Sequence, residues 1–289
     1  MASSIFTTTR TTGAFPDAQF IKPAEALPEA ICFNEAVATQ SVIISGDAPR
    51  VNIPYVDTDP TANVVAEGAE IAQSETTLNQ ITIATHKIAI IIPFSNESLR
   101  YSDAAALVED GATRAMTNKA DNLFLSAAVD TTAGTPAGIA NLDGLTTETP
   151  TKLNDLSPVL NVLAKTTDNG ANPTGIVMRY STWARLMGLT AADGRPFIEP
   201  DVTTSAAPVL FNVPVIFNSQ APADTILTLS AKDIIVSASM IEAATSTDAL
   251  FSKDSSLMRL TMRLGYGVIH PNRLGRVVLP PVTSGTSKG

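Results

Sequence analysis

The fold is decided by residues 64–95, which read VVAEGAEIAQSETTLNQITIATHKIAIIIPFS. This stretch begins as an acidic loop that contains glycine, and at 81–84 it changes to an alternation of isoleucine with threonine and alanine. Such alternation predicts a half-exposed β-strand. Beyond Ile88 both faces become apolar, which is typical of a strand that enters a covered core. We therefore expect a long β-loop that projects from the protein and returns into its body.

A long alanine-rich segment follows the loop. Pro93 closes the returning strand, and from Ala104 to Ala128 the apolar residues fall at helical spacing. Ser102 is expected to cap this helix, and Gly111 weakens it by about 1 kcal/mol without breaking it. A projecting loop that feeds one long helix suits a protein that grips neighbouring subunits.

The residues before the loop are predicted to form an arm and a strand. Residues 1–49 are rich in Thr, Ala and Pro, and for this arm disorder and docking on another surface remain open alternatives. Residues 50–56 alternate as an edge strand, because Pro54 cannot donate to a ladder. A further strand is expected near residues 63–66.

The second half of the chain alternates helix and strand. A Gly-, Thr- and Pro-rich connection at residues 130–151 separates the two halves. We expect helices over 154–164 and from 181, and strands at 175–179, 213–218, 225–229, 234–237, 257–268 and 275–279. This half is therefore an α/β or an α+β layer, and α+β is the class that we expect for the whole chain.

Composition excludes several functions. The chain has 289 residues, 44% of them hydrophobic, so it can bury a core, and its net charge is −9. Its 19 Lys and Arg residues are scattered, so nucleic acid is expected to be enclosed rather than bound. The N-terminus lacks the pattern of a signal peptide, and no apolar run approaches the roughly 20 residues of a membrane span. The single cysteine, Cys32, is interpreted as a small buried hydrophobe.

Residues that carry chemistry are few. His86 and His270 are far apart and lack metal-ligand spacing, and Gly265-Tyr266-Gly267 is interpreted as a close approach of backbones rather than a nucleotide loop. No catalytic residue, cofactor or metal is expected. Glu67 and Glu70 are interpreted as solvated carboxylates available for salt bridges to a neighbour. For Arg179, Arg185 and Arg195, contacts between subunits and simple solvation both remain open.

Five colinear segments carry a family resemblance. They are residues 64–102, the helix that follows, TPAGIAN at 135–141, GIVMRYSTWARLMGLTAADGRPF at 175–197 and LFNVPVIFNS at 210–219. Together they resemble the major capsid proteins of tailed bacteriophages with the HK97 fold. The resemblance covers roughly residues 50–280.

The resemblance implies a division of the chain. It makes residues 1–49 the N-terminal arm and residues 50–93 the extended β-loop. Residues 94–140 and 240–268 become the peripheral domain with its long spine helix. Residues 141–239 and 269–289 become the axial domain and tail. The implied function is a structural capsid protein that self-associates into hexamers and pentamers and forms an icosahedral shell around double-stranded DNA.

The resemblance also implies contacts and partners. Contacts between subunits are expected at Glu67, Gly68, Glu70, Asp193, Gly194 and Arg195, and arm docking is expected at Phe15, Phe20 and Phe33. The expected partners are further copies of this chain, a portal protein and, because the arm leaves little room for a scaffolding segment, a separate scaffolding protein. Whether a decoration protein also binds stays open. DNA is enclosed without sequence-specific binding, no membrane is involved, and assembly is expected in the cytoplasm of the bacterial host.

The sequence departs from the founding member of the family in one respect that bears on stability. That member joins a loop lysine to an asparagine of another subunit, but no lysine lies between Arg50 and Ile81 here, and Lys87 is too far along the returning strand. Covalent cross-linking is therefore not expected. Asn212 stands where many relatives have glycine, which puts that turn in question. An encapsulin-type nanocompartment shell is the alternative function, and an unassembled carboxylate-based hydrolase is a remote one.

Overall fold

The chain folds around two six-stranded sheets and a separate two-stranded ribbon. The computed structural model describes residues 19–21, 27–41, 43–44, 48–58, 60–65, 67–68, 70, 73–74, 77–95, 102–130, 135–190, 194–198 and 208–281. Within these residues the strands are accompanied by three α-helices and several short 3-10 helices. The expected α+β class is confirmed.

The first sheet is organised around one long strand near its centre. Its strands are β1 (Gln19–Ile21), β2 (Thr39–Gln40), β5 (His86–Ser95), β11 (Ile234–Ala238), β12 (Ile241–Leu250) and β13 (Ser255–Val268). β13 pairs antiparallel with β5, β12 and β11, and its pairing with β5 runs from Ser255↔Ser95 to Leu264↔His86. The returning strand of the predicted loop therefore does join a sheet of the body. The expected burial of both its faces is wrong, because alternate residues remain exposed, with Ile91 at 60%.

The long helix covers this sheet. Helix α1 (Ser102–Leu125) packs against β5 and against the 3-10 helix Ile31–Phe33. Its buried positions follow the helical period and include Ala112, Met116 and Ala120. These side chains join the larger of the two apolar cores.

The second sheet has its own core. Its strands in spatial order are β6 (Thr146–Glu148), β14 (Gly275–Val278), β10 (Thr225–Leu229), β7 (Gly175–Met178), β9 (Val213–Phe217) and β8 (Val209–Leu210). Helices α2 (Ser157–Asp168) and α3 (Tyr180–Met187) contribute Val162, Trp183 and Leu186 to the smaller core. The alternation of helix and strand predicted for this half is confirmed.

A tight hairpin closes the edge of the second sheet. Leu210 pairs with Val213, so Phe211 and Asn212 alone form the turn between β8 and β9. Their φ angles are 51° and 64°, as a type I′ turn requires. Asparagine tolerates this left-handed conformation, which resolves the question raised by the missing glycine. Phe211 is a less favourable residue there.

The ribbon consists of β3 (Arg50–Thr58) and β4 (Thr77–Ala84), which pair antiparallel. The edge strand predicted at 50–56 is thus confirmed. The strand expected near residues 63–66 is wrong for residues 63–65, which have no regular secondary structure, while residue 66 lies outside the described residues. Without a partner strand, the backbone of this segment has no ladder to join.

Candidate functional site

The ribbon presents two different faces. Its inner face carries Val51, Ile53 and Tyr55, which are half-buried, opposite Ile83, which is buried. The outer face is exposed throughout the described residues and changes character along its length. Near the root Thr82 donates a hydrogen bond of 2.8 Å to Asn52, whereas nearer the tip the facing residues are apolar.

The apolar pair on the outer face is Val56 and Leu78. The two residues oppose each other across the ribbon and remain 42% and 73% exposed. A two-stranded ribbon is marginal by itself, and exposed apolar contacts on it gain little from its own chain. Such a pair is typical of a surface that another molecule covers.

The root of the ribbon is seated on two glycines of β13. A Cβ atom at Gly265 would lie 2.8 Å from Ile83 Cγ2 and 2.8 Å from the carbonyl oxygen of Ala84. A Cβ atom at Gly267 would lie 2.8 Å from Ile81 Cδ1. The predicted close approach at Gly265-Tyr266-Gly267 is therefore confirmed. It brings the backbone of the ribbon directly onto the first sheet.

The ribbon also continues into that sheet, and hydrogen bonds at Thr85 join its two strands at the root. The amide of Thr85 donates to the carbonyl oxygen of Pro49 at 3.0 Å, and its hydroxyl donates to that of Ala48 at 2.6 Å. His86 follows at the start of β5, where burial and then the positive charge of Arg263 lower the pKa of its imidazole. These contacts hold both strands at the point where they leave the body.

The tip of the ribbon carries the first group of expected contact residues. Glu67, Gly68 and Glu70 are exposed, and Gly68 has a φ of 81°, which favours glycine. The amide of Thr61 donates to Ser74 Oγ at 2.7 Å and draws the two sides of the tip together. All three expected residues are therefore accessible to another molecule.

A second turn, beyond α3, carries the other group. Thr190 bridges to Pro196, and between them Gly194 adopts a φ of 83°. Gly194 and Arg195 are exposed, while Asp193 lies outside the described residues. This turn belongs to the half of the chain that forms the second sheet, so the structure does not join the two expected groups into one local site.

The predicted arm anchors are divided. Phe15 lies outside the described residues, and Phe20 lies in β1, whose backbone pairs it with Glu242. Phe33 is half-buried and packs against the larger core of its own chain. Docking of the arm on a neighbouring subunit stays a prediction.

A buried carboxylate that sequence reasoning missed fixes the segment around Phe33. Asp121 of α1 accepts the amide of Ile31 at 2.8 Å and the side-chain amide of Asn218 at 2.7 Å. Burial raises the pKa of this carboxyl against the opposing effect of both hydrogen bonds. Asp121 thus ties the N-terminal segment, α1 and the second sheet together. Its position within an alanine-rich helix was the only available signal.

Two of the three arginines are used inside the subunit. Arg185 forms an ion pair with Asp224 and donates to the carbonyl oxygen of Pro280 at 2.7 Å. Arg179 donates to the carbonyl oxygen of Ala221. The sequence did not indicate these partners, because only the fold brings them close; contacts of the two arginines with another subunit stay a prediction.

A metal site or a membrane-spanning helix would each indicate another class of protein. No group of three or more His, Cys, Asp or Glu side chains is placed there to hold a metal ion. No helix among the described residues is long and apolar enough to cross a membrane. Cys32 is fully buried, as interpreted from the sequence.

The architecture and the sequence can now be compared with known proteins. Residues 36–278 match the profile of the Phage capsid family. The chain belongs to the phage capsid family. No curated protein matches it.

Solved structures show the same fold in capsid chains. A chain of Microbacterium phage Oxtober96 matches with a TM-score of 0.67 at 17% identity, covering 95% of this chain and 96% of that chain. A chain of Gordonia phage Cozz matches with a TM-score of 0.65 at 16% identity, covering 96% of this chain and 92% of that chain. A structure titled as the capsid of a native GTA particle matches with a TM-score of 0.64 at 16% identity, covering 86% of this chain and 91% of that chain.

These findings confirm the expected HK97-like capsid fold and the expected family. The protein is a major capsid protein, a structural component of a phage shell, and the encapsulin alternative is not favoured. Within this capsid protein the exposed ribbon and the turn at Gly194 are the surfaces on which contacts between copies can be examined.

Proposed function

We propose that this capsid protein assembles as hexamers and pentamers into an icosahedral shell around double-stranded DNA, and that each ribbon contacts a neighbouring copy. The observation that carries the proposal is the exposed pair Val56 and Leu78, which oppose each other on the outer face of the ribbon. Burial of apolar area is favourable by about 25 cal/mol per Å². A neighbouring copy that covers this pair would stabilise both the ribbon and the contact.

Charge supports a second part of this contact. Between residues 51 and 86 the chain has five carboxylates and neither Lys nor Arg, and Glu67 and Glu70 among them are exposed at the tip. The tip is therefore suited to meet cationic groups of another copy. Single contacts of this kind are weak, but closure into rings and a shell multiplies them. The acidic chain also has little affinity for packaged DNA, which is enclosed without sequence-specific binding.

The domain division is part of the proposal and is supported by sheet membership. β12 and β13 lie in the first sheet, and β7 to β10 with β14 lie in the second. β11 also belongs to the first sheet, so we place the start of the returning peripheral segment before Ile234 rather than at residue 240. By the same criterion we place the end of the extended loop before His86, where β5 joins the first sheet, and the arm at 1–49 contributes β2 to that sheet.

Leu78→Gln tests the ribbon contact. Because Leu78 is exposed in the subunit, the variant should keep the parent's free energy of unfolding within about 0.5 kcal/mol. Shell formation, followed by light scattering and negative-stain electron microscopy, should require a higher subunit concentration. Gln80→Ser, on the same exposed face, is the matched control. Assembly of Leu78→Gln at the parent's concentration would contradict the ribbon contact. A parent that stays a 30.2 kDa monomer even after addition of the candidate scaffolding protein would contradict the shell.

Assembled shells should be held together without covalent links. Lys87 lies in β5 opposite Arg263, at the root of the ribbon rather than at its tip. Denaturing electrophoresis of purified shells should therefore give a single band near 30.2 kDa. A ladder of cross-linked species would refute this part of the proposal.

The remaining partners complete the proposal. We infer that a separate scaffolding protein, a portal protein and a decoration protein act with this chain, and that assembly takes place in the cytoplasm of the bacterial host. Support comes from the family and from a ribbon that needs a neighbour for support. Expression with and without the candidate scaffold tests the first partner. Shells of uniform size from this chain alone would contradict the need for it.

A further inference from the structure

A cavity of about 310 Å³ opens where separate parts of the chain meet. The ribbon contributes Tyr55 to its wall, the segment after β10 contributes Lys232 and Asp233, and the segment after β13 contributes His270 and Arg273. None of these residues was singled out together by the sequence, since they lie as far apart as residues 55 and 273. The cavity combines several cationic side chains with one carboxylate.

The carboxylate is engaged within the cavity wall. Asp233 is buried, and its Oδ2 accepts the hydroxyl of Ser230 at 2.6 Å. Its Oδ1 lies 3.0 Å from Nδ1 of His270 and 3.3 Å from Nη1 of Arg273. Arg273 is further held by a hydrogen bond of 3.1 Å from its Nε to the carbonyl oxygen of Asn169. Asp233 therefore orients the imidazole of His270 and the guanidinium of Arg273 and has little capacity left for another cation.

The charges around the cavity do not cancel. Lys232 and Arg273 are positive and Asp233 is the only acidic residue in the lining, so the wall carries a net charge of +1 with His270 neutral and +2 with it protonated. Lys232 forms no salt bridge with any residue that the structure describes. A positive concave surface on a chain of net charge −9 concentrates anions locally.

We propose that this cavity binds a small oxyanion from solution, of the inorganic phosphate class. Four of the lining residues can supply donors for anionic oxygens: Lys232 has an ammonium, Arg273 a guanidinium, Asn172 a side-chain amide and Tyr55 a hydroxyl. The ring of Tyr55 already lies edge-on to His270, with 6.0 Å between centroids. A bound oxyanion therefore adds a link between the ribbon and the body, and it slows the opening of the ribbon.

The test titrates inorganic phosphate into dilute, unassembled, full-length subunit, with sodium chloride at equal ionic strength as the reference. Calorimetry should show saturable binding to one site per subunit. Lys232→Gln should weaken the affinity about fivefold, the effect of losing one partly exposed charge contact. Lys119→Gln, which removes an exposed charge from α1, should bind phosphate like the parent.

A second readout examines the ribbon. Phosphate should slow amide hydrogen exchange in β3 and β4 of the parent and of Lys119→Gln, and much less in Lys232→Gln. Binding without slower exchange would overturn the link to the ribbon. No binding beyond the salt effect, or equal losses in both variants, would overturn the site itself.

One outcome would assign the cavity to a different source of the same chemistry. If phosphate has no effect but Lys232→Gln alone raises the concentration at which subunits associate, the occupant is a carboxylate of a second copy, and the proposal for a free anion is wrong. Because the titration uses unassembled subunits, its result does not depend on whether the shell proposal holds.

Discussion

Addition of one methyl group at Gly265 measures how tightly the ribbon is seated on the first sheet. The new Cβ would lie 2.8 Å from the carbonyl oxygen of Ala84 and 2.8 Å from Ile83 Cγ2, where an ordinary contact begins at 3.4 Å. The carbonyl oxygen of Ala84 is part of the backbone, and the next residue, Thr85, is held by a hydrogen bond to Pro49, so this oxygen cannot rotate away. Overpacking of a core costs about 1–3 kcal/mol, and we expect Gly265→Ala to lose about 2–3 kcal/mol of unfolding free energy.

Two other glycines provide matched comparisons for the same chemical change. At Gly267 the new Cβ would lie 2.8 Å from Ile81 Cδ1, the movable end of a side chain, so a loss of about 1 kcal/mol is expected. At Gly111, within α1, no atom lies within 4 Å of the new Cβ. Gly111→Ala should therefore stabilise the protein by about 0.5–1 kcal/mol through helix propensity.

The assay is urea unfolding of the unassembled subunit, followed by circular dichroism. With an unchanged slope, the shift of the midpoint gives the change in free energy. Limited proteolysis between residues 58 and 77 adds a local measure, because a displaced ribbon should be cut faster in Gly265→Ala. If Gly265→Ala is as stable as Gly267→Ala, or if Gly111→Ala loses as much as either, the reasoning from contact distances is refuted.

Three further predictions concern individual residues. Cys32 should react with a thiol reagent only as the subunit unfolds, because it is fully buried and burial raises the pKa of its thiol; rapid labelling of the native protein would contradict this. Phe211→Asn should raise the thermal midpoint, by about 0.5–1 kcal/mol in stability, since Phe211 has a φ of 51° in an Asn-favouring turn; a lowered midpoint would show that the ring is needed within the subunit. Asp121→Asn should lower the free energy of unfolding by about 1–3 kcal/mol at low pH. The amides of Ile31 and Asn218 both donate to Asp121, and in the variant one of them would face an NH2 group that cannot accept. The folded-state pKa of Asp121 is raised, so the parent loses stability as the pH rises through that value, and its advantage over Asp121→Asn in urea unfolding should shrink; a constant difference across pH would refute this.

The elements that could be predicted from the sequence are those with a clear period. β5 and α1 were expected because isoleucine-rich alternation and alanine-rich helical spacing extend over many residues. β12 had no comparable signal, since its residues, IEAATSTDAL, are mostly small and polar. Its strand exists because β13 offers it a partner from Glu242↔Thr261 onward. Pairing of this kind overrides local propensity.

The candidate surfaces show the same division. Exposure of Glu67, Gly68 and Glu70 followed from a polar, glycine-containing loop, and the close approach at Gly265 and Gly267 followed from two glycines in one strand. The partners of the arginines did not follow, because a charged residue carries no local mark of which distant group it meets.

By itself the sequence determined the class, the order of the elements, the projecting loop and its long helix, and the family. The loop and the helix follow from periodicity, which is a property of neighbouring residues, whereas the family follows from the resemblance of five colinear segments. Tertiary structure alone decided that Asp121 joins Ile31 to Asn218, that Arg185 meets Asp224, and that a cationic cavity forms beside the ribbon. Each of these contacts joins residues far apart in the chain, and only the packing of two sheets and a helix brings their charges within hydrogen-bonding distance.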